Sequence, residues 1–69
     1  MNDEMEDLFR YLGDKGYSRE GLNEFVDVCR RRLAGGETPY QIEEGLRSWG
    51  MSAVRACDFR RLAEIVREE

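Results

Sequence analysis

Apolar residues recur along this chain every three to four positions, and no run alternates apolar with polar over β-branched residues; that pattern predicts helices and no strands. Met5, Leu8, Phe9 and Leu12 form a first stripe, which predicts a helix over residues 3–12 with Asn2 as its cap and Gly13 as its stop. Leu22, Phe25, Val26, Cys29 and Leu33 form a second, over residues 19–33, capped by Ser18 and ended by Gly35 and Gly36. A third helix over 39–48 places Ile42, Leu46 and Trp49 on one face. Its start carries a capping box, Thr38 with Gln41, and Pro39 at the first helical position, where a missing N–H costs nothing. Gly50 supplies its left-handed stop, and Met51 can pack back on Leu46.

Ser52 can cap a fourth helix, running to about Arg67. Its apolar residues (Ala53, Val54, Ala56, Cys57, Phe59, Leu62, Ala63, Ile65 and Val66) cover more than one face. A helix apolar over so wide an arc either lies central in the core or keeps a second face for something else. The predicted fold class is all-α: one small four-helix domain over residues 1–69 with short glycine-containing turns. Two stacked helical hairpins are a second arrangement of the same elements. An internal echo points to it. At an offset of 34, Leu8, Leu12, Gly16, Tyr17, Ser18, Leu22 and Phe25 match Ile42, Leu46, Gly50, Met51, Ser52, Ala56 and Phe59. Helix geometry alone can generate part of such a match, and the markers of a 34-residue tetratricopeptide unit are missing.

The second half of the echo, QIEEGLRSWGMSAVRACDFRRL over residues 41–62, resembles the helix-turn-helix motif of DNA-binding proteins. The resemblance covers about a third of the chain. It implies a turn at Gly50 and burial of Trp49, Met51, Ala56 and Phe59. Gly45 departs from it, since a small helix former is usual there. It also implies that Ser52, Ala53, Val54, Cys57, Asp58 and Arg61 face the groove of DNA. Of these, Arg61 and Ser52 suit bases or phosphate, whereas Asp58 repels phosphate but can accept from a cytosine amine.

Charge weakens the DNA reading. Fifteen acidic and eleven basic residues give a net charge of −4. Residues 1–37 hold nine acids and six bases; residues 38–69 hold six and five. An acidic chain has no general attraction to a phosphate backbone. Arg30, Arg31 and Arg32 are the one basic run; on a helix they diverge, and they suit the negative end of its dipole. The acidic first turn suits the positive end of the first helix in the same way.

Catalytic and metal chemistry find little to work with. The chain has no His, the commonest base and metal ligand. Its two cysteines make no CxxC motif and cannot complete a structural zinc site within one chain. Cys29 reads as a small core residue. No enzyme activity, cofactor or metal is expected. No apolar run is long enough to span a membrane, and the N-terminus MNDEMEDLF is acidic where a secretion signal is basic and then apolar. A cytoplasmic location is expected.

What remains is the surplus apolar face of the fourth helix. Ala53, Val54 and Cys57, with Arg61 one turn on, are the candidate protein interface. The expected function is a small protein-binding regulator or inhibitor that occupies a protein partner, or a homodimer, through this face. A helix-turn-helix transcriptional regulator is the alternative.

Overall fold

The computed structural model describes residues 3–69; the predicted cap at Asn2 lies outside them. Four helices follow in order: α1 (Asp3–Asp14), α2 (Arg19–Ala34), α3 (Pro39–Ser48) and α4 (Ala53–Glu68). No strand occurs among the described residues. The Thr38 box is present in full. The Gln41 amide donates to Thr38 Oγ1 at 3.2 Å, and Gln41 Oε1 accepts from the Thr38 amide at 2.8 Å. Ser18 and Ser52 cap α2 and α4 through their hydroxyls, at 3.0 and 3.3 Å.

All three turns are built the same way. Gly16, Gly36 and Gly50 take positive φ, 103°, 100° and 100°, which L side chains rarely adopt. In each, the residue after the glycine donates back into the last helical turn: Tyr17 to Leu12 O, Glu37 to Arg32 O, Met51 to Leu46 O, at 3.1–3.2 Å. This is the Schellman arrangement, and it satisfies carbonyls that a helix end leaves free. It also corrects the end of α1. Gly13 does not reverse the chain; α1 continues to Asp14 and stops at Gly16. The physical reason is that Tyr17, one residue past Gly16, packs back on the core, edge-on to Phe59 with ring centroids 5.1 Å apart.

One hydrophobic core joins the four helices. Leu8, Phe9 and Leu12 of α1, Leu22, Val26 and Cys29 of α2, and Ile42 of α3 close on Phe59, Leu62, Ala63, Ile65 and Val66 of α4. α4 touches all three other helices, whereas α1 and α3 do not touch each other. The described residues form a slab of 27 × 27 × 16 Å. With α2 on one side and α1 and α3 apart, a flank of α4 stays open along its length. The helix contacts are consistent with two helical hairpins, α1 with α2 and α3 with α4.

Trp49 does not join Ile42 and Leu46 in the core. It is 91% exposed, the most exposed large apolar side chain among the described residues. The predicted stripe extended one residue past the end of α3, where Trp49 is the cap and helical spacing no longer sets side-chain direction. Met51 closes the core at that end instead.

Candidate protein-binding surface

The turn between α3 and α4 brings Trp49, Ala53 and Val54 to one end of the molecule, and all three are exposed, Val54 by 68%. Cys57 and Arg61 continue from Val54 along one face of α4, at spacings of three and seven residues, about 10 Å in all. Cys57 is half-buried and Arg61 exposed. So the four residues singled out in the sequence lie along one helix, three of them open to solvent and Cys57 partly covered.

Asp58 is not on that face. It is 7% exposed and meets Lys15 Nζ at 3.4 Å. Lys15, the cap of α1, lies 4.6 Å from the Tyr11 ring, and the Tyr11 hydroxyl first, then Asp58, raise its pKa. This corrects the surface implied by the helix-turn-helix resemblance: Asp58 serves a packed ion pair between the first turn and α4, because its position on the wheel falls beside Phe59 and Leu62 rather than opposite them.

Arg60 governs the neighbourhood of Cys57. Its Nη2 donates to Cys57 Sγ at 3.3 Å and its Nη1 to Glu64 Oε1 at 3.1 Å. Its Nε lies 3.0 Å from Glu43 Oε1, but the N–H is not aimed along that line, so this contact is a charge pair without a hydrogen bond. The guanidinium also sits 4.7 Å from the Tyr40 ring centroid. Burial works against its charge. The Cys57 sulfur and then the Glu64 and Glu43 carboxylates outweigh that and raise its pKa. Arg60 thus ties α3 to α4 and fixes one wall of the open flank.

The other wall is α1. Between α1 and α4 runs a groove of ≈ 650 Å³ with Leu8, Tyr11 and Ile65 as its apolar part; Arg61 and Arg67 line it together with four acids, two from each helix. Two aromatics are exposed at these walls, Tyr11 at 43% in the groove and Tyr40 at 65% against Arg60.

The charges at the α3–α4 turn are of one sign. From Gly45 through Cys57 the chain carries Arg47 and Arg55 and no acid. Among the described residues Arg47 and Arg61 form no ion pair. Arg55 donates its Nε to the Tyr17 hydroxyl and stacks on that ring, but holds no carboxylate. In the predicted basic run Arg30 pairs with Asp27 and Glu69 and Arg32 with Glu37, while Arg31 forms no ion pair among the described residues.

Cys29 and Cys57 are both free thiols. Burial pushes the Cys29 thiol up to about 11, against a smaller opposing pull from Arg32. Among the described residues no three His, Cys, Asp or Glu side chains lie together as a metal would require, and no helix is long and apolar enough to cross a membrane.

Trp49 is the surface residue that sequence reasoning missed. A signal for it was present. At the offset of 34, Trp49 aligns with Lys15, a charged residue at the cap of α1. A position that accepts lysine in one turn is a position that faces water.

Comparison of the chain with protein-family models, with curated proteins and with solved structures gave no match.

Proposed function

We propose that this chain is a small cytoplasmic protein-binding regulator or inhibitor, which acts by occupying a partner through Trp49 and the exposed face of α4 at Ala53, Val54, Cys57 and Arg61. One observation carries the reading: the chain's single tryptophan is 91% exposed beside two more exposed apolar residues. An aromatic side chain of this size buries 150–250 Å² when covered, so leaving it in water forgoes roughly 4–6 kcal/mol at ~25 cal/mol per Å². Single exposed apolar residues are ordinary; a tryptophan joined to a strip is the composition of a binding hot spot. Two free thiols agree with a reducing compartment. The reading assigns no catalytic group, cofactor or metal.

The helix-turn-helix alternative draws on the same turn, but burial of Asp58 and exposure of Trp49 both depart from the surface it implies. Trp49 also supplies the test. Its emission reports the hydration of its own ring. A partner captured from the source organism by the wild-type chain should shift that emission to the blue. Capture should be lost with Trp49→Lys and with Val54→Asp while the helical circular dichroism is unchanged. Equal capture by all three chains would remove the reading. A blue shift with rising protein concentration, together with dimer sedimentation, would make the partner a second copy.

A further inference from the structure

The charges around the exposed tip say what kind of protein it takes. We infer that the surface at 47–61 binds an acidic amphipathic segment of another protein, with apolar side chains on Trp49 and Val54 and carboxylates on Arg47, Arg55 and Arg61. This rests on the binding-surface reading above and adds the chemistry of the occupant.

Charge complementarity selects the occupant. The whole chain is net −4, yet the thirteen residues from 45 to 57 are net +2, and Arg61 extends the same sign one turn further. Most of the other arginines are paired with this chain's own acids: Arg10 with Asp7, Arg19 with Glu6, Arg30 with Asp27 and Glu69, Arg32 with Glu37, and Arg60 with Glu43 and Glu64; Arg31 and Arg67 form no ion pair among the described residues. At the tip Arg47 and Arg61 are likewise unpaired among the described residues. Asp58 is buried against Lys15 and adds little exposed negative charge; the next acids, Glu44 on α3 and Glu64 on α4, bound the positive stretch on either side. Exposed apolar area ringed by unmatched guanidinium groups is complementary to apolar side chains flanked by carboxylates, which arginine can hold in bidentate fashion.

Two other occupants fit less well. A second copy meeting this one tip to tip would bring Arg47, Arg55 and Arg61 against their own counterparts, and like charges across an interface are repulsive. A nucleic acid offers many phosphates to three cations on a net-negative protein, and it leaves the Val54 and Ala53 side chains without apolar partners.

The test uses the full chain and a displayed library of random peptides about sixteen residues long. Binders are selected on the wild type and counter-selected on Trp49→Lys. The best binder is then titrated by Trp49 emission beside a version with every Asp and Glu replaced by Asn and Gln. A mixed-sequence DNA duplex is measured in parallel by anisotropy. Trp49-dependent binders rich in Asp and Glu are expected. The amide version should bind about tenfold more weakly or worse, and Arg47→Glu should give a similar loss. Affinity should fall as salt rises.

Binders of neutral or basic composition, or an amide version that binds equally well, would overturn the acidic occupant and leave the binding surface standing. Tighter binding to DNA than to the selected peptide, weakened by Arg47→Glu, would overturn it in favour of nucleic acid. A library that yields no Trp49-dependent binder would overturn both this inference and the reading beneath it.

Discussion

The two halves of this chain make the same turn and present opposite surfaces. α1 ends in Lys15, Gly16, Tyr17 and Ser18; α3 ends in Trp49, Gly50, Met51 and Ser52. The glycines differ by 3° in φ, and the residue behind each glycine donates into its helix at 3.2 and 3.1 Å. Yet the cap of the first turn is a lysine that reaches Asp58, while the cap of the second is a tryptophan in water. The next helix then opens with Arg19 and Glu20 in one case and with Ala53 and Val54 in the other. Turn geometry and turn surface are therefore independent. Backbone conformation needs glycine at one position, as Gly36 before Glu37 also shows, and it leaves the cap residue free for another purpose.

Substitutions test whether the two turns are equivalent. The largest effect should come from the leucines that precede the two turns. Leu12 is fully buried and Leu46 only half-buried. Leu12→Ala should cost about 3–4 kcal/mol and Leu46→Ala about 1–2, read from urea unfolding. Equal losses would mean that the two turns sit equally deep, against the observed burial.

Next come the glycines. A Cβ at Gly16 or Gly50 meets nothing within 4 Å, so conformation alone sets the cost. Gly16→Ala and Gly50→Ala should each lose roughly 1–2 kcal/mol, and by similar amounts. A large difference between them in thermal or urea unfolding would show that the turns are not equivalent.

A smaller effect separates the second helices of the two halves. Cys29 of α2 corresponds to Ala63 of α4 at the offset of 34, and both are fully buried. Folding raises the Cys29 pKa from 9.0 to about 11, because burial disfavours the thiolate. Its contribution is complete below pH 9.0 and is lost as pH rises through about 11. Cys29→Ala, which copies α4, should therefore flatten the alkaline fall in the urea midpoint relative to wild type. In the folded chain a thiol reagent should modify Cys57 before Cys29.

The smallest effect on stability should belong to Trp49→Lys, which gives the second turn the cap of the first. With the side chain 91% exposed, the change should stay within about 0.5 kcal/mol in urea unfolding. Partner capture should nevertheless disappear. A loss of stability well above that would make Trp49 a packing residue and weaken its role as an anchor.

Much of this protein can be read from its sequence. Hydrophobic spacing determined four helices, and serine, threonine and glycine set most of their ends, because capping and left-handed stops are local chemistry. The stripe of each helix named most of the core, Leu12, Leu22 and Leu62 included. Sequence also singled out Ala53, Val54, Cys57 and Arg61, because a helix apolar on several sides announces itself. Hydrophobic spacing left three matters to packing. Whether Gly13 or Gly16 ended α1 depended on where Tyr17 could reach the core. Whether Asp58 faced outward depended on Lys15 arriving from a turn 43 residues away. Whether Trp49 was inside depended on the end of α3, since periodicity holds only while the helix continues and says nothing about a cap that neighbouring helices leave uncovered.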